Sequence, residues 1–319
     1  MSEKLKKDQQ SIWLDTLITL SALMLMAYFY YGSHIVFVGT VCAVVSLIAE
    51  IICLRLMHRE FSADDLSCTA DALITVLMLP ASIDLRTALS ACIFGVIVAK
   101  NALGGRMNTI FPPSAVSYLF AYTSWKSQVL TFPEPNTQQD VFEKSSVLVN
   151  SASHVFNTTG RFSYSDFDIL MGNFSGGAGT VSILILIISA LILVFRKDIS
   201  AGAFFGTLFG TAFTAYLVPL TDDRLLSVKY ALITNTVLFS AVYIVSDRRT
   251  NPERNVYSFF YGLLTGTTSY IITVTTAKEN AVVLVCVLLT PIALALKNLE
   301  RKIELADTEQ LGKEAVSVE

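Results

Sequence analysis

The sequence predicts an all-α integral membrane protein with about ten transmembrane helices. Hydrophobic residues make up 53% of the 319 positions, only 15% are charged, and the mean hydropathy is +0.58. A soluble chain carries nearer a quarter charged residues. The apolar residues also form long runs without a charge, such as 181–195 and 281–296. With flanking small residues, these runs approach the ~20 residues that a membrane-spanning helix needs.

Ten apolar segments are predicted along the chain. They are 12–31, 34–52, 70–79, 87–99, 113–125, 179–195, 201–217, 230–245, 256–274 and 281–296. The third, fourth and fifth are short, and Pro80 and the Pro112-Pro113 pair interrupt that stretch. Broken helices are tolerated at membrane depth only where protein or a cavity covers the backbone. We therefore expect this stretch to lie inside the bundle.

The distribution of Lys and Arg predicts the orientation of these segments. With the N-terminus inside, sixteen of the 23 basic residues fall on the inner face. Every short inner loop then carries at least two of them, which is the pattern that cytoplasmic loops show. Ten crossings, with the N- and C-termini both cytoplasmic, satisfy this rule. We expect a multi-pass protein of the cell (inner) membrane.

A polar loop divides the chain into two membrane halves. We assign 1–125 to the first five-helix half, 126–174 to an extracytoplasmic loop, 175–299 to the second half and 300–319 to a cytoplasmic tail. Because five is odd, the two halves have opposite orientations, as in an inverted repeat. Short third segments in both halves, ending at Pro80 and near Ser246-Asp247, agree with such a repeat.

The glycine-rich stretch 175–182 is the strongest candidate for a binding site. It precedes the sixth segment, where free N–H groups and the positive end of the helix dipole favour an anion. Glycines let a backbone approach a ligand closely, and hydroxyl groups are at hand. A phosphate-bearing cofactor suits such a place, and a flexible helix start with Ser/Thr capping remains the alternative. The residues of this candidate site are Ser175, Gly177, Gly179, Thr180 and Ser182.

Four acidic residues lie near the inner ends of the predicted segments. Acids within spans are candidates for ion pathways, whereas acids near the interface can simply reach water. The four are Asp15, Glu50, Asp65 and Asp71. In a later inner loop, Asp247 is expected either to pair with Arg248 or Arg249 or to cap the next turn.

The cysteines and histidines do not indicate a metal centre. The five cysteines form no CxxC pair, so we expect buried apolar thiols instead of iron–sulfur ligands. The three histidines fall in loops or at segment ends, which argues against a haem held between helices. No catalytic residue, metal site, nicotinamide motif or nucleic-acid site is predicted.

Several motifs, in their order and spacing, resemble the RnfD membrane subunit of Rnf-type electron-transport complexes and the related NqrB subunit of Na⁺-translocating NADH:quinone reductases. The resemblance covers about residues 60–300. The motifs are Asp65-Leu66-Ser67 before Leu79-Pro80, Gly104-Gly105 before Thr109-Ile110-Phe111-Pro112-Pro113-Ser114, the stretch 172–182, and Val245-Ser246-Asp247-Arg248-Arg249-Thr250.

The resemblance implies a ten-helix fold of two inverted five-helix repeats, similar to urea transporters. It also implies an FMN attached through its phosphate to a threonine at the outer start of the sixth segment. Aligned without a gap, the family's threonine falls on Val181 or Ile183. The attachment is therefore expected at Thr180, with Ser182 second, or else the flavin is non-covalent or absent.

The implied function is a redox subunit that relays electrons across the membrane, coupled to Na⁺ or H⁺ movement. Its partners are other membrane and peripheral subunits of an Rnf/Nqr-like complex, together with the lipid bilayer. Two alternatives stay open: a flavin-free scaffold subunit of such a complex, and a small-solute channel on the same fold. The loop 126–174 is a hypothetical docking surface for an outer flavoprotein subunit.

Overall fold

The computed structural model describes residues 3–59, 65–105, 109–141 and 147–317, with side chains from residue 11 to residue 303 within those ranges. The described chain is mostly helical, and its one sheet is a pair of two-residue strands. The predicted all-α fold is confirmed. Residues 106–108, which belong to the motif after Gly104-Gly105, lie outside the described residues.

The first half begins with two long helices and continues with shorter ones. They are α1 (Glu3–Tyr31), α2 (Ser33–Leu56), α3 (Ser67–Met78), α4 (Leu85–Phe94), which continues as a π-helical segment (Gly95–Ala102), and α5 (Pro113–Ser124). Only Gly32 separates α1 from α2, and its φ of +85° is a conformation that favours glycine. Helix α3 ends before Pro80, as predicted, because proline disfavours the helical conformation of the residue before it. Pro113 begins α5.

The loop after α5 contains small elements. They are α6 (Lys126–Val129), the antiparallel pair β1 (Phe132–Pro133) and β2 (Leu148–Val149), α7 (Ala152–Thr159) and α8 (Asp166–Met171). Ser151 and Ser165 cap the starts of α7 and α8 by accepting backbone N–H bonds. Gly160 and Gly172 end them in the left-handed conformation.

The second half contains seven helices. They are α9 (Ile183–Phe195), α10 (Ala201–Leu217), α11 (Arg224–Ile233), α12 (Val237–Ser240), which continues as a π-helical segment (Ala241–Val245), α13 (Asn255–Thr276), α14 (Ala281–Leu288) and α15 (Thr290–Ser317). The bounds of α10 are those predicted. Helix α9 begins at Ile183, so the prediction that this helix starts at Gly179 is wrong.

The third segment of the second half ends at Val245, next to Ser246-Asp247 as predicted, but it is also broken within its length. The break separates α11 from α12 at 234–236. Asn235 and Thr236 both have positive φ, of 57° and 56°, so two consecutive residues leave the helical conformation. The two pieces meet at an angle of 55°.

In the part of the chain that the structure describes, three helices are long and apolar enough to cross a membrane: Ser11–Tyr31, Ser33–Leu56 and Leu85–Ala102. Two bent pairs raise this number to five if each is a single span, and they are Arg224–Ile233 with Val237–Val245, and Ala281–Leu288 with Thr290–Ile303. Further apolar helices are shorter. Together they indicate a membrane protein, while the number of ten crossings and the inverted repeat remain predictions.

Helix α10 shows why this bundle suits a bilayer. One face carries Gly202, Gly206 and Gly210 against α13, where an added Cβ would lie 2.2, 2.3 and 2.5 Å from backbone oxygens of α13. The opposite face exposes the side chains of Phe205, Phe209 and Phe213, each by more than half. Close backbone packing through small residues is typical of membrane helices. An exposed phenylalanine stripe indicates a lipid-facing surface.

Candidate functional site

The glycine-rich stretch 175–182 lies against the end of α3. The Ala178 N–H donates to the Leu79 oxygen at 3.1 Å, and the Gly179 N–H donates to the Leu77 oxygen at 2.7 Å. The Thr180 N–H donates within the stretch, to the Gly177 oxygen at 3.0 Å. These three consecutive N–H groups are therefore bonded to the protein itself, and they are not free to bind a phosphate.

The glycines allow the close contact between this stretch and the end of α3. A Cβ at Gly177 would lie 2.7 Å from the Met78 oxygen, and one at Gly179 would lie 2.8 Å from the Leu77 side chain. No Cβ fits at such distances without movement of the neighbour. The close approach that the sequence indicated is thus an approach to α3, and a ligand is not needed to explain these glycines.

The three predicted hydroxyls differ in what they bind. Ser175 donates to the Asn150 oxygen at 3.1 Å, and Thr180 donates to the Gly177 oxygen at 3.0 Å. Ser182 is buried with 1% exposed, and its hydroxyl has no hydrogen-bond partner among the described residues. An unbonded buried hydroxyl costs free energy, so Ser182 is the one of the three that is available to a ligand without loss of an existing bond.

A cavity of about 690 Å³ opens in the loop after α5 and reaches Ser175. Its wall includes Arg161 and the rings of Phe162 and Tyr164, whose centroids are 5.2 Å apart. Asp168 also lines it, and hydrogen bonds from Ser165 and Asn173 lower the pKa of its carboxyl. An aromatic wall with a few polar groups and this volume is typical of small-molecule sites.

A second candidate region, between α3 and the loop after α12, contains buried ionic groups. The Arg249 guanidinium donates to both oxygens of Asp71, at 2.8 and 2.6 Å, and lies 2.7 Å from Asp247. It also stacks on the Trp13 ring at 4.8 Å. Asp71 belongs to α3 and Arg249 to the loop after α12, so this cluster joins two distant parts of the chain. The predicted pairing of Asp247 with Arg249 is confirmed.

Lys100 forms the centre of a neighbouring cluster. Its ammonium group lies 2.9 Å from Glu50 and 3.5 Å from Asp65, and the residue is only 1% exposed. The Asn101 amide donates to the second Glu50 oxygen at 2.8 Å. Lys100 and Asn101 lie on the π-helical segment after α4, and single π-helical turns are frequent at functional sites.

A third cluster joins α1 to the turn between α9 and α10. The Arg196 guanidinium lies 2.5 Å from Asp15 and 3.9 Å from Asp198. Burial, and then the neighbouring Asp15 carboxylate, raise the pKa of Asp198 to about 6. This turn is therefore sensitive to pH in the mildly acidic range.

The sequence pattern indicates the four acids of these clusters but not their surroundings. Each of Asp15, Glu50, Asp65 and Asp71 is at most 9% exposed. Of the two alternatives left open for these acids, the burial therefore speaks against the one in which they simply reach water. The sequence does not show the ion-pair partner of each acid. Asp71 and Arg249, for example, are 178 positions apart. In the sequence alone, the arginine is adequately explained as a charge on an inner loop.

Neither region resembles a metal centre. Among the described residues, no group of three or more His, Cys, Asp or Glu side chains is arranged to hold a metal ion. The five cysteines are free thiols, four of them buried. The helical architecture, the cavity in the loop after α5 and the buried ionic clusters are thus the features to compare with known proteins.

The comparison with protein families is decisive for the class of protein. The model of the NQR2, RnfD, RnfE family matches residues 4–302. The chain belongs to this family.

Individual relatives in the NQR2, RnfD, RnfE family are distant. The chain is 23% identical over 198 residues to the B subunit of the Na⁺-translocating NADH-quinone reductase of Yersinia pestis, a match that covers 60% of the chain and 48% of the relative. To the corresponding protein of Pseudoalteromonas atlantica it is 26% identical over 200 residues, covering 59% and 48%. The chain thus spans about half the length of these curated relatives.

An Rnf relative matches over a greater share of both chains. It is the D subunit of the Na⁺-translocating ferredoxin:NAD⁺ oxidoreductase complex of Acetobacterium woodii, 19% identical over 266 residues, which covers 82% of the chain and 80% of the relative. The suspected resemblance to a divergent member of this family is confirmed.

Proposed function

We propose that the chain is a membrane subunit of an ion-translocating electron-transport complex of the Rnf or Nqr type. Family membership over 4–302 and the names of the relatives support this proposal. It includes partner membrane and peripheral subunits, which supply the nicotinamide and iron–sulfur chemistry for which this sequence has no motif. It also includes a cytoplasmic location for both termini, at the inner membrane.

The observation that carries the proposal is the group of ionic clusters inside an apolar bundle. Lys100, Arg249 and their carboxylate partners are buried between helices that otherwise expose apolar side chains. Ionisable groups in such a position are costly, and they commonly belong to ion pathways.

We further propose that the chain contacts FMN at its outer side. Ser182 supports this, because its buried hydroxyl has no partner among the described residues. The outer cavity supports it as well, because the rings of Phe162 and Tyr164 and the Arg161 side chain suit a planar, phosphate-bearing molecule. Gly179 and Thr180 offer less, since both of their N–H groups and the Thr180 hydroxyl are already bonded. A bound flavin would supply the electron-carrying chemistry, while the protein positions it and sets its electrostatic surroundings.

The test is in-gel ultraviolet fluorescence of the denatured chain, produced with a flavin transferase, with mass spectrometry of the peptide 171–196. An FMN-sized addition on Thr180 or Ser182 supports covalent attachment. Flavin that is released on denaturation, and lost in Arg161→Gln but retained in Arg224→Gln, supports a non-covalent site in the outer cavity. A chain without either form of flavin contradicts the FMN proposal.

A flavin-free scaffold subunit is the second candidate function. The bonding of the three N–H groups at 178–180 to the protein itself favours it, because a phosphate cradle would leave them free. Partner subunits that co-purify with a chain lacking flavin support this candidate, whereas a chain that purifies alone contradicts both candidates.

A further inference from the structure

Glu279 is a buried carboxyl group at the outer end of the second half. It lies in the turn between α13 and α14 and is 8% exposed. Its hydrogen-bond partner is the Ser151 hydroxyl. Within the described ranges, no Lys or Arg nitrogen pairs with it. The carboxyl group is therefore buried with a single neutral partner, an arrangement that is costly if the group carries a charge.

The start of helix α7 contacts this carboxyl group through its capping residue. Ser151, which caps α7 by accepting the His154 N–H at 2.9 Å, is the residue that bonds Glu279. Near the start of the helix, the Ser153 hydroxyl accepts the Asn235 N–H at 2.9 Å. The Asn235 amide donates to Asn157 at 3.1 Å.

The apolar side of α7 also packs against the second half. Phe156 of α7 is fully buried, with its ring 5.3 Å from that of Tyr230. A short helix with polar contacts at the 234–236 break and at the α13–α14 turn thus closes the outer end of the second half.

The groups that face Glu279 leave its charge uncompensated. From α5 comes the hydroxyl of Tyr118, and from the start of α7 the hydroxyl of Ser151. Its neighbour Asn280 is buried and contacts Tyr118, while Lys278 is exposed. Burial raises the pKa of Glu279 to about 7, and the hydrogen bond from Ser151 lowers it by a smaller amount.

We propose that Glu279 is a site for one exchangeable proton at the outer face, and that α7 is the lid over it. A proton from the outer water adds to the Glu279 carboxylate and leaves the neutral acid, with no other bond formed or broken. The closed position binds this proton more tightly than the open position, in which water solvates the carboxylate. Acid therefore favours the closed lid, and rising pH favours opening. The inference holds with or without a bound flavin.

The first test is infrared difference spectroscopy of the full chain in liposomes as pH is varied. We expect a protonated-carboxyl band that disappears with a midpoint near pH 7 and is missing in Glu279→Gln, which keeps the size and hydrogen-bonding capacity of the side chain. In Ser151→Ala the midpoint rises, because a bond that stabilises the carboxylate is lost. The exposed carboxyl of Asp166 provides the control, so Asp166→Asn leaves the band unchanged.

The second test is hydrogen exchange of the α7 peptide, corrected for the intrinsic pH dependence of exchange. We expect α7 to open more above the Glu279 midpoint than below it, and Glu279→Gln to remove this dependence. A Glu279 band that titrates near the ordinary glutamate range overturns the proton site. A band whose loss at fixed pH follows sodium concentration also overturns it. Lid opening that is unchanged in Glu279→Gln overturns the role of α7.

Discussion

Replacing Arg249 with glutamine should destabilise the fold more than any other single loss of charge on the loops that are predicted to be cytoplasmic. The change removes two hydrogen bonds to Asp71, at 2.8 and 2.6 Å, further bonds to Asp247, and the contact with the Trp13 ring. Breaking a buried ion pair by removal of one partner costs ~3–5 kcal/mol. Here two carboxylates lose their common cation, so we expect a loss in this range.

The neighbouring residue provides a matched control. Arg248 is exposed and donates to the Lys197 oxygen at 2.8 Å. Arg248→Gln removes the same charge from the same loop, so its effect on membrane topology is equal. Exposed substitutions of this kind usually change the free energy of unfolding by less than ~0.5 kcal/mol.

The assay is chemical unfolding in mixed micelles, followed by tryptophan fluorescence. The chain has two tryptophans, so Trp125→Phe leaves Trp13 as a probe beside Arg249. Adding Asp71→Asn to Arg249→Gln should recover part of the loss, because one uncompensated carboxylate is removed. Equal losses in Arg248→Gln and Arg249→Gln, or a fully additive double variant, would refute the reasoning.

Two further predictions concern the α3 contact and the α9–α10 turn. Gly177→Ala should lower the free energy of unfolding by ~1–3 kcal/mol in the same assay, because its Cβ would lie 2.7 Å from the Met78 oxygen. Gly105→Ala is the neutral control, since a Cβ at Gly105 would have no neighbouring atom nearer than 3.6 Å. Equal effects of the two variants would contradict the contact. Asp198→Asn should stabilise the chain at neutral pH. Burial raises the pKa of this carboxyl from 3.8 to about 6, so the wild type loses stability as pH rises between these values. The gain of the variant should vanish in more acidic solution, and a gain independent of pH would contradict the assignment.

The pattern of apolar residues, together with the residues that begin or end helices, is sufficient to predict most helices. Helix α10 has its predicted bounds because glycines and phenylalanines alternate on two faces over its whole length. The end of α3 at Pro80 is equally predictable, since proline has a fixed local effect. These features depend on neighbours in the sequence, and such neighbours are visible without the fold.

Features that depend on distant partners were not predictable. The break at 234–236 contains neither glycine nor proline, and it is held by contacts from α7 to Asn235. The glycines near Thr180 indicated a close approach correctly, but only the structure shows that the approaching group is the end of α3. The sequence therefore predicts which residues form the close contact, whereas it does not predict the group that they contact.

The glycine contact between α10 and α13 has a mechanical consequence. Where Gly206 faces the Phe259 oxygen and Gly262 faces the Ala203 oxygen, no layer of side chains separates the two backbones. Helices usually slide past each other by rotamer changes in such a layer. This pair lacks such a layer, so we expect α10 and α13 to move together as one rigid unit. A change of shape within the second half is then expected at its two bends, at 234–236 and at Leu289.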